Sequence, residues 1–381
     1  MSWLVYRLTG SPLLLGLTGF VNQIPILLLG PIAGLVADRV NRRKLLLVTQ
    51  TLAMIQAFTL AYLTFSGTIQ VWQVIVLAGL LGIVNAFDVP GRQSFIVQML
   101  GDKQDLPNAI ALNSLTMNTT RLVGPSLGGF LVMGFGEAWC FLLNGFSFLA
   151  ILLALSSTRV QSSAVLRKTH SAWRDLRDGF QYTFGNGPIR ALLLQLTIVS
   201  FMAMPYTVLM PAFAGGVFGG TARTFGTLIG CAGLGAMIAT LYLASRRNIQ
   251  GLATVIAIAP MVSGIALMLF SQSRILWLSH VLMMFVGFGI ICHAASINTI
   301  LQSVVDDDKR GRVMSFYTMC FVGTAPVGSL VLGQIAHIIG VPATFFAAGA
   351  CCLVAGIIFF VRLETWRRSI SASRALHGII P

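Results

Sequence analysis

The sequence is poor in charged residues and poorest in acidic ones. Only 9% of its 381 residues are Asp, Glu, Lys or Arg, and 56% are hydrophobic, whereas a soluble domain carries about 25% charged residues. This composition excludes an ordinary soluble globular protein. The 25 basic residues outnumber the 11 acidic ones and give a net charge of +14. Most of them fall in short gaps between apolar runs, and that placement argues against nucleic-acid binding.

Cysteine is also scarce, and none of the six cysteines occurs at a metal-binding spacing. The sequence has no Walker loop, no paired carboxylates and no nucleophile elbow. We therefore expect no metal, no cofactor and no enzymatic activity. The cysteines all lie inside apolar stretches, which is typical of small buried residues rather than of a disulfide framework: Cys140, Cys231, Cys292, Cys320, Cys351 and Cys352.

Long apolar runs make up most of the chain. A run of about 20 apolar residues can cross a bilayer as a helix, and a helix satisfies its backbone groups within lipid. A further helix, from Met1 to about Leu8, is too short to cross. The predicted fold class is an all-α polytopic membrane protein with about eleven full spans, at 12–37, 44–65, 71–91, 111–134, 138–157, 189–215, 224–244, 251–271, 275–303, 313–338 and 342–361.

The basic residues predict how the spans are oriented. With the loop from Asp38 to Lys44 in the cytoplasm, about 20 of the 25 Lys and Arg residues are cytoplasmic under the positive-inside rule. This orientation also places the C-terminus in the cytoplasm. The predicted outer connections hold Arg7, Arg223 and Arg274, and two further arginines, Arg121 and Arg190, lie within or at the edge of spans.

The longest polar segment divides the spans into two groups. Within it, Trp173, Leu176, Phe180 and Phe184 recur at helical spacing, which predicts an amphipathic helix on the inner membrane surface. A disordered linker is the alternative. The predicted organisation is an N-terminal helical bundle at 1–157, a cytoplasmic linker at 158–188, a C-terminal six-helix bundle at 189–362 and a cytoplasmic tail at 363–381.

A short cationic loop follows the first full span. Its glycine would let two helices approach closely, and its acidic residue lies where a helix leaves the lipid. A chance cationic turn is the alternative to a functional loop. The residues that we assign to a conformational latch are Gly34, Asp38, Arg39, Arg42 and Arg43.

These residues follow the pattern Gly-x-x-x-Asp-Arg-x-x-Arg-Arg, which resembles the loop signature of the major facilitator superfamily. The stretches 85–96, 105–114 and 310–315 resemble the branch of that superfamily that contains the bacterial enterobactin exporter and related efflux proteins. The resemblance covers nearly the whole chain. It implies two pseudo-repeated six-helix bundles in the bacterial inner membrane, and it does not identify the cargo.

A second motif lies in the fourth full span and is similar to the signature of exporters and antiporters in the superfamily. Thr120 and Ala111 occupy places where the longer signature has glycine, so the match is partial. Proline permits a bend in the helix, and the glycines would let a neighbouring helix pack tightly and seal the pathway. A plain small-residue packing face is the alternative. The motif residues are Arg121, Gly124, Pro125, Gly128 and Gly129.

Ionisable groups inside spans are costly and therefore informative. Asp88 and Arg92 lie four residues apart, on either side of Pro90, so the two charges share a helix face and can pair. They form either a gate on the cytoplasmic side or, if Asp88 titrates, a site that couples proton entry to cargo exit. Arg121 is deeper and could bind an anionic cargo, backbone carbonyls or Asp88.

The second half of the chain offers fewer polar groups in its spans, namely Gln195, His293 and Asn298. The histidines have no partner at ligand spacing, so we interpret them as residues for packing or pore polarity rather than as proton relays.

The resemblance also implies a longer first helix leading into Trp3. A misplaced start codon, a truncated pseudogene product and a natural short form are the three explanations left open.

The predicted function is secondary active export of a small organic molecule by alternating access, with proton antiport. A siderophore-like metabolite is the first choice of cargo and hydrophobic drugs are the second. The alternatives are a transport-incompetent membrane protein and a multidrug pump without a siderophore role. The predicted partners are the cargo, protons and the lipid bilayer, without nucleic acid, and the predicted state is a monomer.

Overall fold

A computed structural model describes residues 1–99, 106–157, 180–246, 251–305, 307–366 and 368. Regular secondary structure in these residues is helical throughout, which confirms the predicted all-α class. The helices are α1 Ser2–Thr9, α2 Pro12–Arg39, α3 Arg42–Phe65, α4 Val71–Met99, α5 Leu106–Phe135, α6 Glu137–Ser157, α7 Gly187–Ala203, α8 Tyr206–Phe218, α9 Ala222–Ala244, α10 Leu252–Gln272, α11 Leu276–Val304, α12 Asp307–Thr318, α13 Ala325–Ile339 and α14 Val341–Val361.

Ten helical segments of the described chain are long and apolar enough to cross a membrane. They correspond to ten of the eleven predicted spans. The remaining prediction, 111–134, lies within the 30-residue helix α5, where Val123–Phe135 counts as a shorter apolar helix. The chain is therefore a multi-pass membrane protein.

Polar caps and helix breakers determine where several spans begin. The Asn41 side chain accepts a hydrogen bond from the backbone N–H of Lys44 at 3.2 Å and starts α3. Asn186 accepts from the N–H of Ile189 at 3.3 Å and starts α7, with Pro188 in the first turn. Both are N-cap arrangements that satisfy amides with no partner inside the helix.

The chain forms two compact units, and the first comprises Met1–Arg167, Val208–Thr227 and Ser329–His337. Here α2 packs on α4, and α3 packs on both α4 and α6. The short helix α1 joins this unit through Arg7, whose Nε lies 3.0 Å from Oε1 of Glu137 at the start of α6.

The second unit comprises Lys168–Thr207, Leu228–Gly328 and Ile338–Pro381. Helix α10 is central, because it packs against both α11 and α14, and α7 packs against α14. The apolar core of this unit includes Leu196, Ile256 and Ile297, each almost fully buried.

The predicted amphipathic helix is described only in part. Residues 158–179, including Trp173 and Leu176, lie outside the described residues. Residues 180–185 are helical, and the ring centroids of Phe180 and Phe184 lie 4.5 Å apart. Both rings meet Phe316 of α12, at 6.1 and 5.9 Å. The end of the linker therefore packs on protein.

Candidate functional site

Asp88 is buried in the first unit and accepts hydrogen bonds from three side chains. It is 2% exposed. Its Oδ1 accepts from Thr49 Oγ1 at 2.9 Å and from Gln50 Nε2 at 2.7 Å, both on α3. Its Oδ2 accepts from Arg92 Nη2 at 2.5 Å. The donors from α3 and the arginine of α4 meet on one carboxylate, which ties α3 to α4.

Sequence reasoning found Asp88, Pro90 and Arg92 but missed both α3 partners. A signal was present, because Thr49 and Gln50 are adjacent polar residues inside an apolar span, and both are buried. Buried polar groups in a span require partners. Pro90 lies inside α4, between the two members of the ion pair.

The cationic loop places Arg43 on the end of a neighbouring helix. Its Nε donates to the carbonyl of Leu155 at 2.8 Å, and its Nη2 donates to the carbonyl of Ser156. Both carbonyls belong to the last turn of α6, where the helix dipole favours a cation. Arg43 therefore links the loop to α6 within the first unit.

The other latch residues make fewer contacts that can be described. No described atom lies within 4 Å of a Cβ built on Gly34, so the close helix approach expected there is not seen among the described residues. Arg42 takes part in a further interaction. The side chains of Asp38 and Arg39 lie outside the part of the chain that the structure describes, and so does that of Arg121.

The glycine–proline motif of α5 contacts α9. A Cβ on Gly129 would lie 2.6 Å from the carbonyl oxygen of Ala222 and 3.0 Å from the Cα of Gly226. Any side chain at position 129 would push the two helices apart. By contrast, a Cβ on Gly124 would meet only Thr120, at 3.8 Å, and one on Gly128 would meet no described atom within 4 Å. Of the three motif glycines, only Gly129 makes a close approach to described residues.

Side chains strengthen this crossing, which we call the α5–α9 contact and which lies within the first unit. Ser126 Oγ donates to the carbonyl of Gly226 at 3.4 Å. The guanidinium carbon of Arg223 lies 4.9 Å from the ring centroid of Phe130, a cation–π geometry. Pro125 is inside α5 and leaves the carbonyl one turn earlier without its helical partner.

A second close approach in the first unit joins α2 and α13. A Cβ on Gly16 would lie 2.9 Å from the Cα of Gly333, and a Cβ on Gly19 would lie 3.0 Å from the side chain of Val208. Segments from the two halves of the sequence thus pack together in this unit, with a glycine of α2 at each contact.

The second unit contains a cavity of about 290 Å³ on α11 and the turn that follows α12. Asn298, Thr299, Tyr317 and Phe321 line it, among other residues. The Tyr317 hydroxyl donates to the carbonyl of Ala294 at 3.1 Å, and its ring stacks on Phe321 at 6.1 Å. The cavity therefore offers amide and hydroxyl groups beside two aromatic rings.

A π-helical turn, Met319–Gly323, follows α12 at this cavity and contains Phe321. Such turns insert one extra residue into a helix and occur often at functional sites. The turn has no signal in the sequence, because it leaves the apolar pattern of the span almost unchanged. Of the residues that line this cavity, sequence reasoning had selected only Asn298.

Gln195 and His293 share one acceptor. Pro260 lies inside α10 and cannot donate to the carbonyl of Ile256, four residues earlier. Gln195 Nε2 from α7 lies 3.3 Å from that carbonyl, and His293 Nδ1 from α11 lies 3.1 Å from it. Since the carbonyl only accepts, His293 carries its proton on Nδ1. Both residues are structural partners of a helix that contains proline.

No group of three His, Cys, Asp or Glu side chains in the described ranges could hold a metal ion. Two of the described buried carboxylates, Asp88 and Glu137, are each paired with an arginine.

Known proteins match this chain over nearly its full length. A family model described as transmembrane secretion effector matches residues 1–378. The staphyloferrin A transporter of Staphylococcus aureus is 27% identical, covering 100% of this chain and 94% of the relative. The multidrug efflux pump Tap of Mycolicibacterium fortuitum is 24% identical, covering 95% and 90%.

Solved structures agree on the fold. A bacterial homologue of the human lysosomal transporter Spinster, in an inward-facing and unoccupied conformation, superposes with a TM-score of 0.70 and 13% identity, covering 97% of this chain and 96% of that one. The resemblance to the major facilitator superfamily is thereby confirmed, and so is the expectation of a transporter rather than an enzyme. The chain belongs to the transmembrane secretion effector family of major facilitator transporters.

Proposed function

We propose that this chain exports a small organic molecule across the bacterial inner membrane by alternating access, as a secondary transporter driven by proton antiport. A siderophore-like metabolite is the first choice of cargo, and hydrophobic drugs are the second. The observation that carries the proposal is the α5–α9 contact, in which Gly129 and Gly226 bring helices from the two sequence halves to backbone distance. A relative named as a siderophore transporter and another named as an efflux pump support the cargo classes.

In the proposed orientation, the α5–α9 contact and the approach of Gly16 to Gly333 both lie toward the outer ends of their helices. The cationic loops and the C-terminus face the cytoplasm. Two backbone-distance contacts on one side form a tight seal that can separate without breaking many polar bonds. We assign them to the outer closure that opens when cargo leaves.

The cavity beside Tyr317 and Phe321 is the proposed cargo-facing surface of the second unit. Its polar groups, including Asn298 and Thr299, can orient a cargo that carries hydroxyl or carbonyl groups, and its rings can pack on the cargo's apolar parts. This mixture suits a medium-sized organic molecule better than a simple ion. Arg121 remains a proposed contact for an anionic group.

Asp88 and Arg92 are proposed to act as a gate element rather than as the proton site. Three hydrogen bonds hold the Asp88 carboxylate between α3 and α4, which supports a role in joining the two helices. Asp38 and its arginines are proposed as the conformational latch on the same side, and a monomer is the proposed functional state.

Metabolite profiling of medium and cell extracts tests this function. A strain lacking the gene is compared with the same strain carrying the cloned chain, in iron-replete and iron-starved growth. We expect a compound that is retained in the deletion strain and released again by the chain. If neither growth condition shows such a compound, and drug accumulation is also unchanged, the chain is transport-incompetent. Rescue of drug resistance alone would instead favour the multidrug alternative.

A further inference from the structure

The second unit contains an open cleft that is separate from the cavity beside Tyr317. It lies between the first turns of α7 and the last turns of α14 and encloses about 400 Å³. Two arginines line its rim, Arg190 in the first turn of α7 and Arg362 directly after α14. Both ends belong to the positively charged side of the membrane in the proposed orientation.

The walls of the cleft are aliphatic and exposed. Leu194 and Ile198 of α7 are 51% and 45% exposed, and Ile358 of α14 is 52% exposed. All three belong to membrane-spanning segments. Exposed aliphatic side chains at this depth are stable in hydrocarbon and not in water, so this surface faces acyl chains.

The base of the cleft is held in place by buried aromatic residues. Trp366 Nε1 donates to the carbonyl of Pro188 at 3.1 Å, which ties the segment after α14 to the start of α7. The Trp366 ring packs on Phe359 with centroids 5.7 Å apart. Beside them, Gln195 is almost fully buried, with an exposed fraction of 5%. Its Oε1 has no hydrogen-bond partner among the described residues.

The rim carries an excess of positive charge. Arg190 and Arg362 are both exposed, and neither forms an ion pair with another described residue. Glu364 lies two residues beyond Arg362, but it pairs with Arg368 at 3.7 Å on the protein surface. Two guanidinium groups therefore stand at the polar end of an apolar cleft.

We propose that this cleft binds an anionic phospholipid, such as phosphatidylglycerol, from the leaflet on the positively charged side. The lipid phosphate would lie between Arg190 and Arg362, because planar guanidinium groups recognise phosphate oxygens with paired hydrogen bonds. One acyl chain would lie along Leu194, Ile198 and Ile358. Cationic pockets between spanning helices recognise anionic headgroups in this way.

A free phosphate ion would satisfy the two arginines but would leave the aliphatic walls unoccupied. A zwitterionic lipid would fill the walls but would not neutralise both arginines. The combination of two cations and an aliphatic trough favours a ligand with a net negative headgroup and an acyl chain. The choice of leaflet rests on the orientation given under Proposed function, whereas the cleft and its chemistry do not.

Native mass spectrometry of the purified full-length chain tests the site. The protein in detergent is titrated with phosphatidylglycerol or with phosphatidylcholine of identical acyl chains, and the bound fractions are compared. We expect at least about a tenfold preference for phosphatidylglycerol, which falls to about twofold in the double variant R190Q/R362Q. The single variants are expected to fall between these limits, and they carry the test if the double variant does not purify.

Matched controls separate this site from general attraction between charges. Arg274 lies just after α10, on the side of the membrane opposite the cleft in the proposed orientation. Arg274→Gln removes this exposed arginine and is expected to leave the preference for phosphatidylglycerol unchanged. Leu194→Trp narrows the trough and is expected to weaken the binding of both lipids. Leu269→Trp, at a similarly exposed position on α10, is expected to leave lipid binding unchanged.

Three results would overturn the proposal. The first is a wild-type protein without a preference between the two lipids. The second is a loss of preference in Arg274→Gln equal to that in R190Q/R362Q. The third is displacement of the lipid by millimolar inorganic phosphate. The last result would identify a free-phosphate site instead. Because lipid binding is read on purified protein, its failure is distinguishable from a failure of the export assay.

Discussion

Arg92 donates from Nη2 to Oδ2 of Asp88 across one turn of α4, at 2.5 Å, while Thr49 and Gln50 of α3 occupy Oδ1 of the same carboxylate. One acidic residue thus joins two helices of the first unit. The arginine is the exposed partner, and the two α3 residues are buried. We therefore expect the two α3 contacts to contribute more to stability than the ion pair does.

Replacement of Asp88 by alanine leaves the buried Gln50 amide without its acceptor, while the Thr49 hydroxyl can still donate to the carbonyl of Leu46 at 3.1 Å. We expect Asp88→Ala to lower the free energy of unfolding by about 1–3 kcal/mol. Asp88→Asn should cost less, because an amide oxygen still accepts from Thr49 and Gln50. Arg92→Gln should cost about 1 kcal/mol, since the arginine end of the pair is open to water and both α3 donors stay on the carboxylate. Thermal unfolding in detergent measures the series, and an Arg92→Gln loss equal to that of Asp88→Ala would contradict this ranking.

The gate interpretation of Asp88 makes a separate prediction about coupling. In this interpretation Asp88 holds α3 and α4 together and does not exchange protons during transport. We expect Asp88→Asn to retain efflux that collapses on addition of a protonophore, at a lower rate than wild type. If the folded variant still moves cargo but no longer responds to the proton gradient, then Asp88 is the coupling site and the gate interpretation is wrong.

The neighbouring glycines of α5 provide a matched pair of variants. Gly129→Ala places a Cβ 2.6 Å from a backbone oxygen of α9, whereas Gly128→Ala meets no described atom within 4 Å. We expect Gly129→Ala to lower the melting temperature and to reduce export several-fold, because the α5–α9 contact must widen. Gly128→Ala should be neutral or slightly stabilising, as alanine favours a helix. Equal melting temperatures and equal export by the two variants would count against the rotation of α5 that turns Gly129 toward α9.

The shared acceptor of Gln195 and His293 predicts non-additive effects. Each single change to leucine leaves one donor on the Ile256 carbonyl, so each should cost about 1 kcal/mol. The double variant frees the carbonyl and should cost more than the sum of the two. Pro260→Ala returns an N–H to α10, and in that background the double change should be milder. Melting temperatures in detergent are compared for the two single variants, the double variant, the Pro260→Ala parent, the triple variant and wild type. An unchanged penalty in the Pro260→Ala background would disprove this explanation.

The membrane fold followed from the sequence because span length and apolar composition are local properties. The predicted starts of the corresponding spans, at 44 and 189, lie within two residues of the observed starts of α3 and α7. The residues of the cationic loop, and those of the glycine–proline motif, are also close together in the chain. Their resemblance to superfamily signatures is therefore visible in the sequence.

Contacts that depend on how a helix is rotated about its axis could not be predicted from the sequence. Gly124, Gly128 and Gly129 look equivalent in the sequence, yet only Gly129 faces α9 closely. Thr49 and Gln50 reach Asp88 from a helix about 40 residues earlier, and nothing in the apolar pattern gives their register. The π-turn at Met319–Gly323 is likewise a product of tertiary packing.

Export through opening of the α5–α9 contact is the central claim, and a reversible cross-link tests it most directly. Phe130→Cys and Arg223→Cys, on the two helices whose side chains meet there, are introduced after the six native cysteines have been replaced. Release of the cargo found by metabolite profiling is then measured in cells under oxidising and reducing conditions. We predict that oxidation stops release and that reduction restores it, with each single cysteine unaffected. Continued release from fully cross-linked protein would show that this contact does not open during transport and would contradict the account.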